Sequence, residues 1–106
     1  MRVLIVPPTG DNIHPHDTNG TLGSLQRLVG GYIECGAPVE LREQGMELLV
    51  NEEGVLRNLH YNENLYPFFF VGTAVIVGFN GHSFTSLTET QLEHAKEWLA
   101  RLRLLY

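Results

Sequence analysis

The stretch Leu28-Val29-Gly30-Gly31-Tyr32-Ile33-Glu34 constrains the fold of this chain more than any other. Two adjacent glycines stand between a helix-like pattern and an alternating apolar pattern, the arrangement of a helix stop. One glycine takes the left-handed cap and the other lets the chain reverse into a strand. Further on, Asn51-Glu52-Glu53-Gly54 separates the apolar run Leu48-Leu49-Val50 from one that begins at Val55. This spacing predicts two strands, Glu47 to Asn51 and Val55 to Leu59, joined by a turn in which Gly54 supplies a positive φ.

The flanking sequence predicts the remaining elements. Val3 to Val6 is a short β-branched and apolar run ended by two prolines, as expected of a strand buried on both faces. Pro7 to Gly20 has only Ile13 as an apolar residue and reads as a long loop, a place to look for a site. Leu22, Leu25, Leu28 and Val29 recur at helical spacing, with Thr21 or Asn19 as the cap. Tyr32 and Ile33 open the next strand, whereas Val39 to Gln44 fits either a strand or a loop. Asn62 to Tyr66, ahead of Pro67, fits one helical turn or a loop. Val71 to Gly78 is the strongest strand signal, and Asn80-Gly81 is a tight-turn dipeptide. The last segment reads as an amphipathic helix: Thr88 and Gln91 fit a capping box, and Leu92, Ala95, Leu99, Leu102 and Tyr106 form one stripe, widened by Trp98 and Leu105.

Together these predict a single α+β domain over residues 1–106. It has a mixed, mainly antiparallel sheet of about five strands, with a short helix in the N-terminal half and a C-terminal amphipathic helix packed on it. A chain of 106 residues, 43% of them apolar, has room for one core. Seven basic against twelve acidic residues leave a net charge of -5, which argues against binding a nucleic-acid backbone. The acids concentrate between Glu34 and Glu63, where Arg42 and Arg57 are the basic residues; such a segment could face a basic partner protein. The single cysteine, Cys35, fits a reducing, cytoplasmic setting. The apolar segment from Phe68 to Phe79 is well short of the ~20 residues a membrane helix needs, so no membrane partner is expected.

Four groupings invite a chemical reading. His14-Pro15-His16-Asp17 resembles the opening of a metal-hydrolase site, but His60, His82 and His94 are scattered, so a solvated loop is the expectation and no metal is assigned. Gly81-His82-Ser83-Phe84-Thr85 resembles a nucleophile elbow without its final glycine, and only His94 follows it as a base. Glu52 and Glu53 could divide acid and base duties, yet neighbouring turn carboxylates usually stay solvated. Phe68-Phe69-Phe70 cannot all face one side of a strand, so at least one belongs to the core and an exposed one would mark a pocket or an interface.

The motifs from Leu25 to Glu34, from Val50 to Gly54 and from Val71 to Val77 occur in the order and spacing of a small uncharacterised domain family. The chain resembles that family over about residues 1 to 80, with His60 replacing a proline of the family pattern and Asn62 matching it. The family is common in phages, plasmids and actinobacterial genomes, and the resemblance implies a protein that acts on host machinery by binding. The leading reading is non-enzymatic sequestration of a small anionic, nucleotide-like ligand that counters host defence. Its binding residues would be Arg27, Gly30, Gly31, Tyr32, Asn51, Glu52, Arg57 and Asn62, with the Gly30-Gly31 backbone amides contributing and no cofactor. Because so small a domain has little room for an enclosed pocket, this reading predicts a homo-oligomer with sites between subunits. The alternative is an acidic inhibitor of a host protein, and a small hydrolase ranks third.

Overall fold

The computed structural model describes residues 1–106. Six strands form one sheet: β1 (Arg2–Val6), β2 (His14–Asp17), β3 (Ile33–Cys35), β4 (Met46–Asn51), β5 (Ala74–Phe79) and β6 (Phe84–Thr85). The order is β2-β1-β5-β4-β3, with β6 pairing the far end of β5. Every pair of strands is antiparallel, so the sheet has no parallel component. Three helices complete the domain: α1 (Leu22–Val29), α2 (Val39–Arg42) and α3 (Glu89–Leu105), together with a 3-10 turn at Glu63–Leu65. No helix is long and apolar enough to cross a membrane.

The sheet is the middle of three layers. Leu4, Val6, Leu48, Val50, Ala74 and Ile76 point to one face, where Leu92, Ala95, Trp98, Leu99 and Leu102 of α3 cover them. Val3, Leu49, Val75 and Val77 point to the other, under Leu25 and Val29 of α1. Strands covered on both sides need apolar residues at successive positions, which is why Leu48 to Val50 of β4 and Ala74 to Val77 of β5 read as unbroken apolar runs although the sheet is antiparallel. Each buried Leu, Val or Ile side chain contributes about 1.5–3 kcal/mol relative to an exposed one. α1 and α3 each start on a side-chain cap. Thr21 accepts from the Ser24 amide, and Thr88 with Gln91 forms the full capping box.

Three expectations are corrected. No strand forms over residues 55–59, where the chain winds through consecutive turns. The reason is topological: β4 already pairs with β3 on one side and β5 on the other, so a hairpin partner would find no free edge. Val55 and Leu56 remain exposed, and the positive φ in this segment belongs to Asn58, not Gly54. Gly54 is instead required by close packing, because a Cβ there would collide with the Val71 side chain. Second, residues 7–20 are not loop throughout: β2 pairs with β1 from Arg2↔Asp17 to Ile5↔His14. A solvent-facing edge strand needs no apolar periodicity and tolerates Pro15, so its sequence does not announce it. Third, Val39 to Gln44, open between strand and loop, contains α2, whose Leu41 plugs into the core on the α3 side.

The aromatic run divides as its spacing requires. Phe68 and Phe70 pack against the main core, with Phe68 5.8 Å from Trp98 between ring centroids. Phe69 is exposed and lies beside Tyr61, 5.6 Å between centroids.

Candidate functional site

The candidate site forms where α1 stops. Gly30 adopts φ 83° as the left-handed cap, and its amide donates to the Gln26 carbonyl at 2.8 Å. The Gly31 amide donates to the same carbonyl at 3.0 Å. Tyr32 then carries the chain into β3 and accepts the Glu52 amide at 2.9 Å, locking the helix end to the end of β4.

Asn51, the last residue of β4, is 4% exposed and makes the second lock. Its Nδ2 donates to the Val29 carbonyl at 3.2 Å, while its Oδ1 accepts the Glu53 amide at 2.8 Å. One side chain therefore satisfies a carbonyl at the helix end and starts the turn that follows β4. That turn brings Arg57 back over the helix terminus, where Nη1 donates to the Gly30 carbonyl at 2.8 Å. A cation on the last carbonyls of a helix is favourable in its own right. It also fixes the direction of the guanidinium and leaves its other N–H groups free.

The result is an open groove of about 550 Å³ lined by Gly23, Gln26, Arg27, Gly30, Gly31, Tyr32, Glu53 and Arg57. Arg27 and Arg57 form no ion pair; the molecule's ion pairs involve Arg2, Arg42 and His60. Tyr32 is 64% exposed, so its ring is available as a stacking surface. Because both glycine amides are used in capping the helix, an anion in the groove would be held by side chains and not by these amides.

A family model described as a domain of unknown function, DUF3846, matches residues 1–100. The chain belongs to this family. No curated protein matches the chain, and no solved structure does. The DUF3846 region runs from β1 well into α3 and takes in every residue of the groove.

Of the eight residues singled out in this DUF3846 chain, Arg27, Gly30, Gly31, Tyr32 and Arg57 line the groove, and Asn51 stands behind it as its brace. Glu52 is exposed and does not line it. Asn62 lies elsewhere: it is 0% exposed, and its Nδ2 donates to the carbonyls of Val6 and Gly72 at 3.1 and 2.9 Å. Its hydrogen-bonding capacity is spent inside the fold. Gln26, Glu53 and Gly23 line the groove without having been singled out. Gly23 was legible from its spacing, since residues four apart share a helix face and Arg27 lies along it, Nη1 3.8 Å from where a Gly23 Cβ would sit.

The other chemical groupings disperse. No three His, Cys, Asp or Glu residues gather as a metal site, and His14 turns its Nδ1 to the Asn12 carbonyl at 2.9 Å. Ser83 sits in the turn between β5 and β6, its amide held by Asn80 Oδ1 at 2.9 Å, and a strand-to-strand turn is not an elbow. Among the acids of the middle segment, Glu47 is buried, accepting the amides of Ala37 and Leu48 at 2.8 and 3.0 Å. Cys35 lies on the edge strand, yet burial around its sulfur pushes the thiol above its usual range. Glu47 and Glu34 push the same way, and Arg42 partly opposes them.

Proposed function

We propose that this chain is a non-enzymatic binding module that captures a small anionic, nucleotide-like molecule in the groove between α1 and the turn after β4. The observation that carries the reading is the pairing of two guanidiniums, Arg27 and Arg57, that line one groove beside an exposed tyrosine and form no ion pair, although Glu53 lines the same groove. Guanidiniums bind phosphate or carboxylate oxygens in bidentate fashion, and an exposed aromatic ring can stack a base. On a chain of net charge -5, two guanidiniums against the single Glu53 carboxylate leave this groove a local attraction for an anion and not a general one. The groove is open, and Val55 and Leu56 beside Arg57 are 67% and 85% exposed. A second copy of the chain covering that apolar rim would close the site, so the reading includes a homo-oligomer. In the phage and mobile-element setting that the sequence resemblance implies, such capture would deprive a host defence system of its signal.

The test is titration calorimetry with nucleoside diphosphates and with pyrophosphate, alongside native mass spectrometry to count subunits. Saturable binding that disappears in Arg27→Ala and Tyr32→Ala, with folding intact, supports the reading. Binding that both variants retain would overturn it. If a basic host protein is captured instead, and is lost when Glu43, Glu52 and Glu53 are reversed to Lys, the acidic face is the functional surface.

A further inference from the structure

A second cavity, of about 610 Å³, lies between the loop after β1, the 3-10 turn and the C-terminal end of α3. Asp11, Glu63 and Arg103 line it together with Tyr61, Tyr66 and Tyr106. Charges of both signs thus share one cavity, yet Arg103 pairs with neither acid. The fold holds them in separate places. Arg103 Nη2 donates to Asn64 Oδ1 at 2.9 Å, and Asn64 is itself anchored through Nδ2 to the carbonyls of Pro7 and Gly10 at 2.8 and 2.9 Å. Glu63 is drawn to His60 through an Oε2–Nε2 contact of 2.8 Å, leaving its other oxygen free. The Asp11 carboxylate has no partner. Tyr66 and Tyr106 meet edge to face, 6.1 Å between centroids, and the Tyr61 hydroxyl is fixed on the Phe68 carbonyl at 3.0 Å.

We infer that this cavity binds a small zwitterion of the free amino-acid class, bearing an ammonium, a carboxylate and an apolar body. The ammonium would meet Asp11 and the free oxygen of Glu63, with the tyrosine faces adding cation–π attraction. The carboxylate would take the remaining N–H groups of Arg103, which Asn64 has already oriented, so less conformational freedom is lost on binding. The apolar body would lie against the tyrosine rings. A ligand with one charge leaves the opposite charge of the cavity uncompensated. A ligand with both satisfies the two.

The experiment is amide NMR titration of the full chain with L-phenylalanine, phenethylamine and 3-phenylpropanoate, three probes that share a body and differ in charge. The zwitterion should saturate at millimolar concentration, shifting resonances around Tyr61, Tyr66 and Arg103. The two singly charged probes should bind about two- to fivefold more weakly, the factor expected for one partly exposed charge contact. Asp11→Asn removes a carboxylate that makes no hydrogen bond within the fold and should weaken L-phenylalanine by a similar factor without altering the spectrum elsewhere. Arg27→Ala, in the separate groove, should change nothing here. Absence of saturation with L-phenylalanine, equal binding of phenethylamine, or indifference to Asp11→Asn would each overturn the assignment.

Discussion

Asn51 and Gly31 approach so closely that only glycine fits: a Cβ built on Gly31 would lie 2.9 Å from Asn51 Nδ2. Since that nitrogen donates to the Val29 carbonyl, the contact joins the end of α1 to the end of β4. Gly31→Ala should push the carboxamide off its partners and cost about 1–3 kcal/mol, the range for overpacking. Asn51→Ala relieves the crowding but strands the Val29 carbonyl and the Glu53 amide, again at about 1–3 kcal/mol. Urea unfolding of the two single variants and the double variant checks this. A double variant no worse than Asn51→Ala is expected, because the clash partner is then gone.

Asn62 has a comparable duty on the other side of the sheet. Its amide nitrogen faces two carbonyls, those of Val6 and Gly72, and its Oδ1 accepts the Asn64 amide at 3.1 Å. Asn62→Ala should therefore cost about 3 kcal/mol or more. Asn62→Asp keeps the shape but turns an acceptor toward two carbonyl oxygens, so it should be at least as damaging. Thermal unfolding midpoints of both variants decide the point, and a near-neutral Asp variant would contradict the hydrogen-bond assignment.

Arg27 and Arg57 should separate binding from stability. Arg27 makes no ion pair, so Arg27→Ala should remain within about 0.5 kcal/mol of the parent. Arg57→Ala loses its bond to the Gly30 carbonyl and should cost about 0.5–1.5 kcal/mol. Both should lose anion binding in calorimetry. The affinity of the parent should fall as salt rises, since the contacts are near the surface.

Cys35 should be a slow thiol. With its titration raised by burial and by Glu47 and Glu34, less thiolate is present at neutral pH than for a free cysteine. Iodoacetamide labelling should show a pH midpoint above the usual thiol range. Arg42→Ala should move it further up, since Arg42 is the group that lowers it. The sign for stability follows: the native state holds this proton more tightly than the unfolded chain. The associated stabilisation is present below the usual thiol range and is lost as pH rises through the raised value.

What could be read from the residues alone was local. The helix stop at Gly30, the Thr88–Gln91 cap and the apolar runs of β4 and β5 each follow from short-range sterics, hydrogen bonding or periodicity within a few residues. The clustering of Arg27, Tyr32 and the glycines was legible for the same reason, being one turn of chain. Tertiary structure decided what depends on partners distant in sequence. Val55 to Leu59 cannot be a strand because β3 and β5 occupy both edges of β4, and β2 forms because β1 offers it an edge. Whether a polar residue faces a ligand or the interior is likewise a long-range matter. Asn62 is buried because Val6, fifty-six positions away, presents it with a carbonyl, whereas Arg57 reaches the groove because Asn51 turns the chain back toward Gly30. Local sequence sets which conformations are cheap; buried polar groups must still find partners, and only the assembled sheet supplies them.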